Sequence, residues 1–428
     1  MQRVLGKNDY TLRKSSLDIG MIVLLIGGLL LLRDLGGVSV NKYLYLVLVA
    51  IATFLLPIEK VVYLISFLMP LYVGMPGNYM TIVFLVRFLP EIKSLKVNVR
   101  NWVFCILAGG YALVQALYFQ KLEIPNLIFF PSMILVMLLF SLECPYSKNK
   151  MLLYYAVGTA IMGLIMLTTT LQQFDLDELL VAGMRLGDNA ADALGKEGMS
   201  VVMDPNFYGM LVIPALAAGT EALLGNWKDV AKNEKILLIA ALATSVVIAL
   251  IGLSRAFFLV LIIWAILYAL SRKKAKALVV FILVTLVAIF LVSRLMPDVL
   301  DAILNRFTED KTEEGGGRMD LIRKYGSAWQ ESLGSVLLGT SIFDCNVHCT
   351  PLQILFGGGI VFTLLFVGFV VTLPQRGSKL VSQTGLQRGL PVLMTILISL
   401  SVPALMLINS MYPFVVAALS KTGGTQDK

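Results

Sequence analysis

Histidine is nearly missing from this chain: His348 is alone among 428 residues. Cysteine is scarce as well, with four, and only 14% of residues are charged, where an ordinary soluble domain carries about 25%. These shortages exclude a good deal. Cys345, Cys349 and His348 supply three donors with neither the C-x2-C nor the H-x3-H spacing of a zinc site, which argues against a metal centre. A soluble domain, an internal repeat and a low-complexity tract are all absent, so the chain reads as a single unit over 1–428.

What abounds is apolar sequence, at 58% of residues and a mean hydropathy of +0.83. A soluble fold could not bury that much apolar surface, so lipid is the solvent for many segments. Apolar stretches lie near 17–32, 43–57, 61–75, 79–90, 102–119, 127–142, 151–170, 206–223, 236–253, 256–270, 277–293, 352–373, 389–404 and 406–420. Several fall short of the roughly 20 residues that cross about 30 Å of hydrocarbon, so twelve to fourteen spans are expected. The fold class is then an all-α polytopic membrane protein. Arg3, Lys7, Arg13 and Lys14 precede the first run in the manner of a signal sequence, but no small-residue cleavage site follows, and the run reads as an uncleaved first span.

Charge fixes the expected orientation. With a cytoplasmic N-terminus, the inner segments hold 23 of the 35 lysines and arginines and the outer segments hold 12. Eight of those 12 lie in two long outer segments, 171–205 and 294–351, which leaves four in short outer loops. Short loops are the ones that obey the positive-inside bias. Arg272, Lys273, Lys274 and Lys276 then form a cytoplasmic anchor, and the net charge of +8 needs no nucleic acid to explain it.

Exposed chemistry belongs to the two long outer segments. In the second, Val299, Ile303 and Phe307 recur at helical spacing and predict a short amphipathic helix, which EEGGG ends. After it, Arg318, Ile322, Tyr325, Trp329 and Leu333 fall within about 80° of one another on a helix, laying an aromatic stripe on membrane or protein. Arg318 on that face reads first as an interfacial anchor. Arg255, in ALIGLSRAFFLVLI, sits in a tight turn between two spans; a charge near a bilayer centre costs on the order of 3 kcal/mol, and a planar guanidinium suits an anionic group. Arg185, in GMRLGDN, means little alone. MDPNFYGM opens the eighth span, where Asp204 or Asn206 is placed to cap the helix. Cys345 and Cys349 leave a small disulfide loop open as a reading, since the segment lies outside the cytoplasm. His348 sits between them at the mouth of a span, with outer-face arginines for company and access to water.

Four features taken together resemble the O-antigen ligase and Wzy polymerase superfamily: DPNFYG (Asp204 to Gly209), GLSRAFF (Gly252 to Phe258), GRMDLIRKYGSAW followed by LLGTS, and NVHCTPLQILFGGGI ending at Ile360. The comparable stretch covers about 185–370. The resemblance implies a GT-C-like membrane glycosyltransferase that polymerises polyprenyl-diphosphate-linked repeat units, with His348 as general base, Arg255 and Arg185 on the diphosphate, and Arg318 on phosphate or glycan. It implies no cofactor and no metal. Its expected partners are lipid-linked donor and acceptor, the bilayer, a chain-length regulator and a flippase. In one departure, Asn346 precedes the histidine where members often read His-Asn.

The residue types fit that chemistry on their own terms. Fixed arginines stabilise charge developing on a diphosphate, and histidine, with a usual pKa near 6.5, takes a proton from a sugar hydroxyl near neutral pH. Two other readings remain. A ligase would move the glycan to a lipid or protein acceptor, and a glycolipid flippase or other transporter would carry ionisable residues at the midplane of several spans.

Overall fold

The computed structural model describes residues 18–95, 98–141, 147–181, 186–187, 203–224, 231–252, 254–272, 318–372 and 385–402, with isolated positions between 290 and 304 and at 412 and 415. The regular structure among these residues is all helical, with no β-strand among them. In chain order the helices are α1 (Ile19–Asp34), α2 (Lys42–Leu55), α3 (Ile58–Leu68), α4 (Gly77–Phe88), α5 (Val99–Tyr118), α6 (Ile124–Leu127), α7 (Phe129–Ser141) and α8 (Lys148–Gln173). They continue as α9 (Leu176–Val181), α10 (Pro205–Leu224), α11 (Lys232–Ile251), α12 (Arg255–Arg272), α13 (Arg318–Gln330), α14 (Leu333–Leu338), α15 (Thr350–Thr372) and α16 (Gly385–Ser399).

Side-chain caps start several of them. Asp18 accepts from the Gly20 N–H, Asn41 from Tyr43 and Ser147 from Lys150, each satisfying a donor that has no partner inside its helix.

The bundle is a polytopic membrane protein. Val99–Tyr118, Ile124–Ser141, Asn149–Gln173, Lys232–Ile251 and Thr350–Thr372 are each long and apolar enough to cross a bilayer. Their outward faces are apolar as well: Val114 is 62% exposed, Ile239 53% and Leu364 66%, an arrangement unstable in water and natural in lipid. The spans expected at 61–75 and 79–90 are shorter than a bilayer. Pro70 turns the first into a 3-10 segment, Met69–Gly74, and Pro76 starts α4, which ends after 12 residues. The 61–75 stretch owes its hydropathy to protein contact, since every residue from Val61 to Leu68 is buried. The expected spans at 277–293 and 406–420, the amphipathic helix at Val299–Phe307 and the anchor at Lys273–Lys276 lie, apart from isolated positions, outside the described residues.

At the centre, α8 packs against α3, α10 and α11, while α10 also meets α12 and α16. Loop contacts sort into two ends. Gln172 to Leu35, Arg33 to Gly74, Lys121 to Asp344 and Ser254 to Asn206 join segments at one end. Lys150 to Glu234, Ser147 to Tyr63 and Arg87 to Leu56 join segments at the other. The pairs in each set join segments that the expected spans place on one side of the bilayer.

Candidate functional site

The end that carries His348 is assembled from four stretches of chain. Asp204 caps α10: its Oδ1 accepts from the Asn206 N–H at 2.6 Å, and its carbonyl takes the Tyr208 N–H. Asn206 faces the neighbouring helix, where its Oδ1 accepts from Ser254 Oγ at 2.7 Å. Ser254 in turn caps α12 by accepting the Phe257 N–H at 3.2 Å. One short chain of bonds therefore fixes DPNFYG against the turn that carries Arg255. Arg255 is the first residue of α12, and its side chain is exposed, without a hydrogen bond or ion pair among the described residues. A cation presented at a helix start, with no partner among the described residues, suits an external anion.

Arg318 opens α13 and reaches the end of α16, where its Nη2 donates to the Ser401 carbonyl at 3.3 Å. Thr350 Oγ1 donates to the adjacent Val402 carbonyl at 2.7 Å, so the arginine and the first residue of α15 grip the same turn. Arg318 thus has a protein partner at this end of the bundle. Behind it, Ile322, Tyr325 and Trp329 pack on Cys345, Val347 and Phe356. The aromatic stripe thus covers protein. Leu333 leaves the stripe and is 76% exposed, because α13 stops at Gln330 and Ser332 caps a new helix, α14.

The segment between α14 and α15 holds His348 in an unusual backbone. Gly339 and Gly359 adopt φ of 80° and 72°, and Gly359 breaks α15. A β-carbon at either glycine would overlap backbone atoms of the other strand of chain, so LLGTS and FGGGI meet main chain to main chain. Thr340 N donates to the Phe356 carbonyl and Ser341 N to the Gly357 carbonyl, both at 3.0 Å, which satisfies groups the helix break frees. Ser341 and His348 themselves have φ of 124° and 50°, a region L-residues rarely occupy outside sites that hold them there.

His348 is half-buried. Burial holds its pKa below the usual 6.5, the Arg318 guanidinium pushes the same way, and the Asp204 carboxylate pulls back upward. Those effects bring Arg318, Asp204 and His348 into one electrostatic neighbourhood, with the imidazole neutral at pH 7. Cys345 and Cys349 are free thiols; burial pushes Cys345 up to about 12, which leaves it unreactive. Arg185 lies outside the described residues, although its neighbours Leu186 and Gly187 are buried and Gly187 N bonds Thr170 Oγ1 at 3.0 Å. Sequence reasoning did not single out Ser254, Thr350 or Gln115. Of these, Gln115 carried the clearest signal, a lone amide in an apolar run.

No family model matches the sequence, and comparisons with curated proteins and with solved structures return no match either.

Proposed function

We propose that the chain is a membrane glycosyltransferase, GT-C-like in arrangement, that polymerises polyprenyl-diphosphate-linked repeat units into a surface polysaccharide. One observation supports the reading: His348 lies within electrostatic reach of Arg318 and Asp204, where α10, α12, α13, α15 and α16 converge at one end of a membrane bundle. Twelve to fourteen spans, a cytoplasmic N-terminus and a site on the outer face of the cytoplasmic membrane complete it.

In the reaction, His348 takes the proton from an acceptor sugar hydroxyl. The oxygen attacks the anomeric carbon of the donor glycan, and the bond from that carbon to the diphosphate breaks. The polyprenyl diphosphate leaves with the electron pair. Arg255 meets its negative charge, with Arg185 assigned there by resemblance, and Arg318 contacts phosphate or glycan. Asp204 and Asn206 keep the helix ends in register. The chemistry requires no metal or other cofactor.

The test uses purified protein with synthetic lipid-linked repeats and neither metal nor nucleotide sugar. The expected product is a ladder of longer glycans, lost in His348→Ala at normal expression. Transfer of glycan to a different acceptor in place of a ladder identifies a ligase. Lipid movement across vesicles with no new glycosidic bond refutes the enzyme and supports a transporter.

A further inference from the structure

Gln115 lies one turn from the end of α5, on a span with no sequence kinship to the His348 segment, and it is 5% exposed. A primary amide buried there without partners would be costly. Its amide is instead used up on three backbone groups of one excursion of chain. Nε2 donates to the Leu338 carbonyl at 2.5 Å and to the Gly357 carbonyl at 3.1 Å, and Oε1 accepts the Ile342 N–H at 3.1 Å. Leu338 and Ile342 lie where the chain enters the excursion, Gly357 lies where α15 carries it away, and His348 sits between them. Both arms are thus tied to one side chain at the base. Tyr111, one turn earlier on α5, donates to the Leu338 carbonyl at 2.7 Å and reinforces the same point.

We propose that Gln115 is a positioning residue for His348: one amide pins the two arms of the Leu338–Gly357 excursion and so fixes where the imidazole stands. The function assigned to His348 rests on the reading above; the pinning itself does not. Only the primary amides, Gln and the one-methylene-shorter Asn, offer two donors and an acceptor in one plane, which is what two carbonyls and one N–H require. The excursion carries the positive-φ residues Gly339, Ser341 and His348, and such backbone persists only where its surroundings over-determine it.

Cys345 provides a native reporter, since it lies inside the excursion and is 1% exposed. The protein is placed in lipid nanodiscs with Cys105, Cys144 and Cys349 replaced, and the rate of Cys345 modification by a charged maleimide is measured. In Gln115→Leu the rate should rise about tenfold or more, the scale of losing net hydrogen bonds from a local opening equilibrium. Gln115→Glu supplies the chemical signature. Its protonated carboxyl donates to a carbonyl while its carboxylate cannot, so the rate relative to the unsubstituted Gln115 should be near one at pH 5 and raised at pH 8. Tyr111 remains a neutral phenol across that range, and taking the ratio at each pH cancels the titration of Cys345 and His348. Because the pH comparison is made within one folded variant, wholesale loss of Gln115→Leu does not remove the test.

An unchanged rate in a folded Gln115→Leu, or a Gln115→Glu ratio independent of pH, overturns the role of Gln115. In the ladder assay the same variants should lose kcat with KM for the lipid-linked donor unchanged, since a base is displaced and no binding group is removed. A parallel rise in KM overturns the assignment as a positioning residue. A native protein that makes no ladder refutes the proposed function and leaves the thiol result to stand or fall alone.

Discussion

Asn206 and Ser254, 48 residues apart in sequence, share a hydrogen bond of 2.7 Å between Oδ1 and Oγ. Through it the cap of α10 is joined to the cap of α12, and Arg255 follows Ser254 directly. Asn206→Ala should cost about 1 kcal/mol, the net worth of one such bond. Ser254→Ala should cost about 1–2 kcal/mol, since the helix cap goes as well. The double variant should cost less than the sum of the two, with a coupling of at least about 0.5 kcal/mol by denaturant titration in detergent. Chain growth should fall about tenfold or more in either single variant, because Arg255 loses its register. Strict additivity would show that the two caps act separately.

The pH dependence of chain growth tests the imidazole. Burial and then Arg318 hold His348 below the usual histidine range, while Asp204 raises it. A base with a lowered pKa stays neutral in more acid solution, so the acid limb of the rate should fall below about pH 6.5. Arg318→Gln removes a lowering charge and should move the limb to higher pH. Asp204→Asn removes a raising charge and should move it to lower pH. Opposite movements identify His348 as the titrating group; movement of both in one direction, or in neither, excludes it.

Residue patterning made the class and the two-ended arrangement of loops legible, because hydropathy answers to the membrane directly. Helix lengths were less readable. Residues 61–75 look like a span, yet Pro70 ends the helix early and protein buries Val61–Leu68 on every side, a distinction that hydropathy does not carry. Leu333 fits the α13 stripe by periodicity, but periodicity does not see Ser332 starting a new helix. At the site, His348, Arg318 and Asp204 were found as separate motifs and the fold brings them near one another. Gln115 shows in the sequence as a lone amide in an apolar run, but its three partners are backbone groups, so residue identity does not tell what it holds.

The glycine contact between LLGTS and FGGGI has an internal control. Gly339, Gly359 and Gly37 all have positive φ, but a β-carbon at Gly37 meets nothing within 4 Å. Gly37→Ala should therefore cost about 1 kcal/mol, for backbone conformation alone. Gly339→Ala and Gly359→Ala add overlap with main chain and should cost about 2–4 kcal/mol or more. Fluorescence-monitored size-exclusion after heating should rank Gly37→Ala close to the native protein and the other two well below it. Equal tolerance at the three positions would mean that the two segments do not meet.

The last prediction concerns α13, which carries Arg318. Trp329 anchors it: Nε1 donates to the Val336 carbonyl at 3.3 Å, and the ring lies 5.5 Å from that of Phe356. Tyr325 adds a bond to the Asp344 carbonyl at 3.0 Å. Trp329→Phe keeps the ring contact and loses the bond, at about 1 kcal/mol. Trp329→Ala loses both and should cost about 2–3 kcal/mol, less than a fully buried site because the residue is half-exposed. Arg323 and Lys324 are exposed on the same helix, so trypsin reports its opening. Cleavage there should be slow in the native protein, little changed in Trp329→Phe and Leu333→Ala, and fast in Trp329→Ala. Chain growth should fall in the same order, since undocking α13 takes the Arg318 guanidinium away from His348. Fast cleavage with undiminished chain growth would separate Arg318 from the reaction and leave α13 a structural brace.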